Sequence, residues 1–430
     1  MLNAEEQRLL AQLSVFVGGW TLEAAETVFH VGVEPTGDAL AGLASLADKS
    51  LVQAVEVSAR FEEEGPRFTM LETIRDFALE RLAESGSGED VRQVHAAFYV
   101  TLAETAEPLL QGPQQTIWLE RLDTEYANLR RAMDWTLHRG DIDNALRLVS
   151  ALWLFWLLRG YHHEAHLWVQ AALAHPAAAR PTAIRAKTLN AAGATALMRL
   201  EPAAALPVLE EALALSRDVG DPHLIAKSLQ LLGAVAGTLG DYARGDAFLE
   251  QSLAMWYELD DTWNRALTLY HLAAHPLVAG QDARAEALYE ESVRLFNAAG
   301  DARMVTNPLR RLGHLALRQG DPVQAGVRYR ESLSHSRDLA DTRGLLASVV
   351  ALAAVAASHG QVTEAVRLCG AVTALVRTFE INLFPLDQAV ADGLVSELRS
   401  QLEGSTFEAA WTEGCAMSLE EAVGCSSRIG

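Results

Sequence analysis

Apolar and small residues recur along residues 186–379 with a period of 40 residues. One series of small residues marks the middle of a predicted helix, and a second series follows it by seven residues. The first series is Gly193, Gly233, Ala273, Gly313 and Ala353, and the second is Leu200, Gly240, Gly280, Gly320 and Gly360. Twenty residues out of phase lie Gly220-Asp221, Asp260-Asp261, Gly300-Asp301 and Ala340-Asp341. This pattern predicts five pairs of helices with a turn after each helix.

Each recurring residue type has a physical role in such a pair. A small residue within a helix lets a neighbouring helix approach closely, and the larger residue of the partner helix packs into that contact. These larger residues are Leu209, Leu249, Tyr289, Tyr329 and Cys369. One helical pair cannot bury its apolar face alone, so the pairs are predicted to stack into an α-solenoid. The spacing resembles the tetratricopeptide repeat (TPR), lengthened from about 34 residues; an irregular all-helical domain is the alternative.

The pattern at the N-terminus is different and predicts a separate domain over residues 1–85. Helices are predicted at Glu5–Phe16, from Thr21 to Phe29, and from Asp38 to Asp48, the last with Leu40 facing inward. Alternation at Leu51–Val55 and at Arg67–Leu71 predicts a hairpin with its turn at Glu62–Pro66. Three helices followed by a hairpin form a winged helix.

The remaining segments complete a mainly α fold, an N-terminal winged helix followed by an α-solenoid. Residues 86–180 are predicted to be a helical linker and divergent repeat, with helices at Glu89–Leu110 and from Gln114 to Arg139. Residues 181–380 hold the five TPR-like repeats of about 40 residues. Residues 381–430 are predicted to be capping helices, with capping boxes that begin at Ser405 and Ser418.

The charge balance argues against nucleic-acid binding. The chain has 35 Lys and Arg against 56 Asp and Glu, a formal net charge of -21. Residues 1–90 carry six basic and seventeen acidic side chains, and the third predicted helix has no arginine. Base reading needs cations and Arg, Asn or Gln on that helix. A protein-packing role for the winged helix is therefore favoured over a DNA-reading one.

Motifs for catalysis or cofactor binding are missing from the sequence. None of the three lysines stands in a Gly-Lys-Ser/Thr loop, and no Gly-x-Ser-x-Gly elbow occurs. His162, His163 and His166 could hold a metal, but no third ligand stands at a useful spacing, so a solvated helix start is favoured. We therefore predict no enzyme, cofactor or metal. The N-terminus lacks a signal-peptide pattern and the apolar runs are too short to span a membrane, which predicts a cytoplasmic protein.

Five segments, in order, resemble parts of one protein family. They are Leu13–Thr21, Leu46–Val52, Leu71–Arg75, Glu125–Ala132, and Phe407–Gly414 followed by Ser418–Ala422. They resemble the winged helix, the exit helix, the start of the sensor and the terminal segment of STAND signal-transduction ATPases. More specifically, they resemble LuxR-type and antibiotic-pathway bacterial transcriptional regulators.

The resemblance implies a non-enzymatic signal-transduction module. The solenoid would capture an effector, and the winged helix would transmit its occupancy to an ATPase. Such regulators normally carry a nucleotide-binding domain upstream, and many carry a DNA-binding helix-turn-helix, neither of which occurs in this sequence. The chain is expected to be a fragment of such a regulator or a stand-alone sensor part. A TPR scaffold for protein–protein interaction is the main alternative, and an enzyme is a remote one.

The TPR resemblance also places a candidate binding groove. In TPR-like arrays the first helix of each pair lines the concave face, and the residues flanking the small position point into it. Carried over by position, the groove residues are Lys187, Asn190, Lys227, Gln230, Tyr270, Asn307, Arg310, His314 and Arg318. This set includes two of the three lysines of the sequence and a stripe on one helix face formed by Arg310, His314 and Arg318. They indicate a protein, acidic peptide, carboxylate or other small anion as the partner.

Overall fold

The computed structural model describes residues 1–32, 38–55, 65–379 and 381–429. The chain divides into two compact units. The first comprises Met1–Leu110, Gln114–Arg159 and His163–Ala191, and the second comprises Gln111–Pro113, Gly160–His162 and Ala192–Gly430. Helices make up most of the described residues, which confirms the predicted mainly α fold. The four-part division at residues 85, 180 and 380 stays a prediction.

The first unit begins with the predicted winged helix. Its helices are α1 (Ala4–Leu13), α2 (Leu22–Phe29) and α3 (Ala39–Asp48), and its strands are β1 (Trp20–Thr21), β2 (Gln53–Val55) and β3 (Arg67–Thr69). The strand order is β1-β3-β2, and both pairings are antiparallel. The hairpin is thus confirmed, although Glu62–Glu64 of its predicted turn lie outside the described residues. The short strand β1, two residues long, was not predicted.

Two side chains of the winged helix show where local rules succeed and fail. Thr21 accepts a hydrogen bond from the Ala24 amide at 3.2 Å, so it caps α2 as predicted. Leu40 is exposed, because α3 buries the face that holds Ala39, Leu43 and Leu46 instead. The prediction for Leu40 was wrong since the apolar stripe of α3 is broad and does not fix the rotation of the helix.

The helices that follow the winged helix pack mainly within the first unit. They are α4 (Glu72–Ser85), α5 (Gly88–Leu109), α6 (Gln115–Thr124), α7 (Tyr126–Arg139), α8 (Ile142–Arg159), α9 (His162–Ala174), a 3₁₀ turn at Pro176–Ala179 and α10 (Ala183–Met198). The single helix predicted from Gln114 to Arg139 is therefore two helices. The break falls at Glu125, whose carboxylate accepts hydrogen bonds from Arg67 and Tyr99. These partners hold Glu125 at the junction.

The second unit holds the repeat array. Its helices are α11 (Pro202–Val219), α12 (Pro222–Thr238), α13 (Tyr242–Glu258), α14 (Thr262–Leu272), α15 (Ala274–Val278), α16 (Asp282–Ala298), α17 (Ala302–Arg318), α18 (Pro322–Asp338), α19 (Thr342–Ser358), α20 (Val362–Thr378), α21 (Pro385–Gln401), α22 (Gly404–Cys415) and α23 (Leu419–Ser426). The predicted helical pairs are confirmed. The break between α14 and α15 was not predicted, and its cause is Pro276, which has no amide to donate to the Leu272 carbonyl.

The small residues bring paired helices into contact as predicted. A Cβ atom added to Gly193 would overlap Leu209, one added to Gly233 would overlap Leu249, and one added to Gly313 would overlap the Tyr329 ring. In each case the glycine and the larger residue are 16 positions apart. The repeat therefore places the same interhelical contact at the same height in successive pairs.

The turns after the helices use the left-handed backbone conformation, also as predicted. Positive φ angles occur at Leu200 (65°), Gly220 (77°), Gly240 (84°), Asp260 (54°), Gly280 (72°), Gly300 (73°), Gly320 (78°), Ala340 (48°) and Gly360 (76°). Three of these residues are not glycine, so they hold a conformation that is costly for a residue with a Cβ atom.

The C-terminal helices pack on the end of the array. Gly370 of α20 and Gly414 of α22 leave room for close approach of the two helices, since a Cβ atom on either would overlap the opposite backbone. Phe407 and Val423 are buried with residues of α19 and α20. The capping box at Ser418 is confirmed. The one at Ser405 is wrong, because α22 begins at Gly404 and has no side-chain cap.

No helix within the described residues combines the length and the apolar character needed to cross a bilayer.

We expect substitutions in two left-handed turns of the array to change stability in opposite directions. Ala340→Gly should raise the free energy of unfolding by about 0.5–1 kcal/mol, because it removes the cost of a Cβ atom at positive φ. Gly320→Ala should lower it by a similar amount, since no atom lies within 4 Å of the added Cβ and only the backbone conformation is strained. Thermal unfolding of both variants followed by circular dichroism measures this. Equal melting temperatures for the two variants would contradict it.

Candidate functional site

Two of the predicted groove residues lie in the first unit, on α10. Lys187 is half-buried and forms an ion pair with Glu107 of α5. Asn190 is buried. The other seven lie in the second unit, on α12, α14 and α17. Whether the nine residues bind a common ligand stays a prediction.

Lys227 and Gln230 belong to a polar chain that links α12 to α14. Lys227 Nζ donates to Gln230 Oε1 at 2.9 Å and to Asn264 Oδ1 at 3.3 Å. Its ammonium group also lies 5.7 Å from the centre of the Trp263 ring. The Gln230 amide donates to Thr268 Oγ1 at 2.8 Å. Gln230 is fully buried, so among these hydrogen-bonded side chains the half-buried Lys227 is the one that reaches the surface.

Arg310 is not an open groove residue, which corrects the prediction. Its side chain is 1% exposed, and its guanidinium group donates to Asp387 of α21 at 3.0 Å. It also donates to Asn307 Oδ1 at 2.7 Å. Arg311, which is buried too, forms an ion pair with the other oxygen of the same carboxylate. The physical reason is that α21, which packs against α19 and α20, places the Asp387 carboxylate between the two guanidinium groups.

The electrostatics of this buried group favour the charged carboxylate. Burial opposes the ionisation of Asp387, but the positive charges of Arg310 and Arg311 outweigh it and hold the pKa of the carboxyl at about 2. Two cations and one anion leave an excess positive charge inside a protein whose formal net charge is -21. We call this set of Arg310, Arg311 and Asp387 the buried triad.

His314 lies beside the triad and is neutral at physiological pH. Burial lowers the pKa of His314 to about 3, and the nearby Arg311 adds to the effect. Its Nδ1 atom lies 2.8 Å from the Tyr329 hydroxyl. His314 therefore contributes a hydrogen-bonding group, not a positive charge.

The remaining groove residues have partners as well. Tyr270 packs against Tyr289, with ring centres 5.9 Å apart. Arg318 is exposed, forms an ion pair with Asp282 and donates to the Leu277 carbonyl at 2.7 Å. In this array Lys227 and Arg318 are the predicted cations that a ligand could reach without opening the buried triad.

Sequence reasoning missed Arg311 and Asp387. Arg311 directly follows Arg310, and a helical array offered no reason to place both guanidinium groups in the interior. Asp387 is 76 residues further along, and no spacing rule links it to α17. A buried arginine pair could have indicated that a carboxylate from elsewhere must reach it, since unpaired buried charges are rare.

A second polar network joins the winged helix to α7 within the first unit. Asn128 Oδ1 accepts a hydrogen bond from the Val17 amide at 2.7 Å, and its side-chain amide donates to the Gly19 carbonyl at 2.8 Å. Arg67 of β3 forms an ion pair with Glu125. Asn128 and Glu125 are buried. Two of the segments that carry the family resemblance, one around Gly18 and one around Asn128, therefore contact each other directly.

The histidine cluster gives no support for a metal site. Within the ranges that the structure describes, no group of three or more His, Cys, Asp or Glu residues is arranged to hold an ion. The pKa of His162 is lowered to about 4 by burial and by the positive charge of Arg343.

Comparison with known proteins agrees with the winged helix and the regulatory resemblance. Residues 2–83 match the family model of a winged helix-turn-helix domain. Three proteins named as HTH-type transcriptional regulators, from Mycobacterium bovis and two strains of Mycobacterium tuberculosis, are each 34% identical to this chain over 229 residues. This chain contains a winged-helix domain and is a homologue of transcriptional regulators. The match covers 52% of this chain and only 25% of each relative's length.

Solved helical-repeat proteins show a distant likeness. A STAND protein with a tetratricopeptide repeat sensor from Pyrococcus horikoshii gives a TM-score of 0.37 at 16% identity, covering 84% of this chain and 61% of that chain. A Rap protein complexed with competence and sporulation factor gives a TM-score of 0.44 at 14% identity, covering 89% and 95%. At these scores neither likeness bears on what this chain binds.

We expect the buried triad to be a stability determinant. Asp387→Ala should lower the free energy of unfolding by about 3–5 kcal/mol, because it leaves two guanidinium groups buried without their carboxylate. Asp282→Ala is the matched control, since it removes the carboxylate partner of the exposed Arg318 and should cost under about 1 kcal/mol. Urea unfolding of both variants measures the difference. Similar costs for the two would show that Asp387 is not a buried counterion.

We expect stability to fall in two separate acid windows. The folded-state pKa values of His95 and His314 are about 3, against 6.5 for a free side chain. The unfolded chain therefore takes up protons first, and stability falls as the pH drops below about 6.5. The contribution of Asp387, whose pKa is lowered from 3.8 to about 2, is lost only below about pH 4.

Melting temperatures measured from pH 7 to pH 3 test this. His314→Gln should reduce the slope between pH 6.5 and pH 4, and it should leave the lower window in place. A melting temperature that stays constant from pH 7 to pH 5 would contradict the neutral state of these histidines in the folded chain.

Proposed function

We propose that this chain is the winged-helix and TPR-like sensor part of a STAND-type bacterial transcriptional regulator of the LuxR-like or antibiotic-pathway kind. Two findings support the proposal: the winged-helix match over residues 2–83 and the 34% identity to longer HTH-type regulators. In this role the chain has no catalytic activity of its own. Its repeats bind an effector, and an ATPase module of the longer regulator responds.

The observation that carries the choice of effector is the carboxylate of Asp387 between Arg310 and Arg311. A helix from the same chain supplies an anion to a cationic position on the first helix of a repeat pair. We propose that an acidic peptide or small carboxylate binds along this face, starting at the accessible Lys227 and Arg318, and competes with Asp387 for the two arginines. Charge-assisted contacts with arginine favour carboxylates in this setting.

In this proposal α21 is the element that moves. When an effector carboxylate replaces Asp387, α21 loses its buried counterion contact with α17 and can shift against α19 and α20, on which it packs. The exchange replaces one buried ion pair by another, so the desolvation cost of the arginines need not be met afresh. The effector thereby changes the position of a helix, which a neighbouring module can detect.

The winged helix is proposed to transmit the signal. Asn128 bonds to Val17 and Gly19 of the winged helix, and Glu125, at the start of α7, bonds to Arg67 of β3, contacts that favour movement of the winged helix and α7 as one body. The acidic composition of residues 1–90 supports contact with a protein module over contact with DNA.

We expect removal of the internal competitor to increase affinity for an acidic peptide. Asp387→Asn keeps the shape of the side chain but removes its charge, so it should bind a fluorescent glutamate-rich peptide at least tenfold more tightly than the wild type. Lys227→Gln should weaken binding by a similar factor. Fluorescence anisotropy at fixed salt measures both, and circular dichroism checks that each variant is folded.

A lysine-rich peptide of the same length is the control and should not bind either protein. Failure of both the wild type and Asp387→Asn to bind acidic peptides would overturn the proposed effector class. Binding that is unaffected by Asp387→Asn and Lys227→Gln would favour the alternative, a scaffold that holds protein partners through another surface.

A further inference from the structure

A cavity in the first unit has the character of a second binding site. It has a volume of about 320 Å³ and lies between α5 and α7, next to Val15, which follows α1. Arg92 and His95 line it from α5, and Arg131 and Trp135 line it from α7. The cavity is at the small end of the range for ligand pockets. It is formed by other residues than the groove discussed above.

His95 supplies the observation that points to a ligand. The side chain is only 2% exposed, and its ring lies against Phe16 and Tyr99, with ring centres 5.1 and 4.7 Å away. Among the described residues, no hydrogen-bond partner is found for the Nε2 atom. A buried polar atom without a partner costs about 1–3 kcal/mol, so a group that fills the cavity and reaches Nε2 would relieve this cost.

The charges around the cavity favour an anion. Arg131 is exposed and forms no ion pair with any described carboxylate, and the nearest acidic partner of Arg92 is Glu89, at 3.9 Å. Asp134 and His138 also line the cavity, so the lining has one carboxylate and two guanidinium groups. Burial lowers the pKa of His95 to about 3; a side-chain hydrogen bond with Asn128 opposes this shift, and the positive charge of Arg131 adds to it. His95 is therefore a hydrogen-bonding group, and Arg92 and Arg131 supply the positive charge.

The apolar part of the lining favours a flat molecule. Trp135 presents a half-buried indole ring, and Val15 provides an aliphatic contact. An arginine fork binds a carboxylate through two parallel hydrogen bonds, and an aromatic ring packs well against tryptophan. A hydroxyl group, which both donates and accepts, suits His95 in either neutral tautomer.

We propose that this cavity binds a small aromatic carboxylate that carries a hydroxyl group, with Arg92 and Arg131 at the carboxylate, Trp135 at the ring and His95 at the hydroxyl. The site spans Val15 and α7, which the Asn128 hydrogen bonds to Val17 and Gly19 already connect. A ligand there would stiffen the connection between the winged helix and α7. This inference does not depend on the acidic effector proposed for the repeats.

Hydroxybenzoates are the probes, used with the full chain. Titration with 2-hydroxybenzoate and 4-hydroxybenzoate should raise the melting temperature in a saturable way, and calorimetry should give one site per chain. The uncharged 2-hydroxybenzamide should bind at least tenfold more weakly. In nitrogen-detected NMR, the Nε2 resonance of His95 should shift on addition of the carboxylate.

The variants separate this site from nonspecific anion binding. Arg131→Gln and Trp135→Ala should each weaken binding at least tenfold. Arg130→Gln is the matched control, because Arg130 is the preceding residue on α7 but is exposed and paired with Glu164 at 2.7 Å, so binding should be unchanged. Arg92→Gln gives a second test of the charge should Arg131→Gln affect folding, which circular dichroism would detect.

The inference is wrong if neither hydroxybenzoate binds the wild-type chain, or if Arg131→Gln and Arg130→Gln have the same affinity. Equal binding of the carboxylate and the amide would also overturn it, since the arginines would then play no part. None of these outcomes would affect the acidic-peptide experiment, which concerns residues of the second unit.

Discussion

Close approach of paired helices is the constraint on which the repeat array depends. At Gly193, Gly233 and Gly313 even a single Cβ atom would overlap the side chain of the partner helix. In each pair of helices, the small residue of the first helix must therefore face a larger residue of the second helix, 16 positions later. Once that contact is set, the lengths of the helices and the turns between them have little freedom. The left-handed turns follow, including those at Leu200, Asp260 and Ala340, where the backbone conformation is held without glycine.

Buried charge at Arg310 and Arg311 is a second constraint on the fold, and it opposes the close packing of the helices. Packing alone would favour apolar side chains at Arg310 and Arg311, because desolvating two guanidinium groups is expensive. The carboxylate of Asp387 on α21 pairs with both guanidinium groups and offsets this desolvation cost. A core that requires a distant acidic residue to be complete is less stable than an apolar one and depends more on where that residue lies. Such dependence would suit the role proposed for this chain, in which ligand binding changes the position of a helix.

The features that could be predicted from the sequence are those set by interactions between residues close in the chain. The left-handed turns, the helix caps at Thr21 and Ser418 and the small-to-large contacts follow from residues close in the sequence, and the structure confirms them, whereas the cap predicted at Ser405 was wrong. The rotation of α3, which left Leu40 exposed, depends on the neighbours that cover it. The break at Glu125 depends on Arg67 and Tyr99, which stand far away in the chain. At the candidate site, Lys227 could be placed by the repeat, but the burial of Arg310 could not. Its partner Asp387 belongs to a helix outside the repeat pattern.

The constant period of 40 residues has a consequence for how such an array can change over generations. Duplication or loss of a segment of 40 codons returns the chain to the same point in the pattern, whichever residue it starts from. One inserted residue within a helix would instead rotate the later side chains of that helix by about 100° and separate the small residue of that pair from its large partner. Arrays of this kind are thus free to grow or shrink by whole units only. Their binding surface can acquire new positions by copying old ones and then diverging.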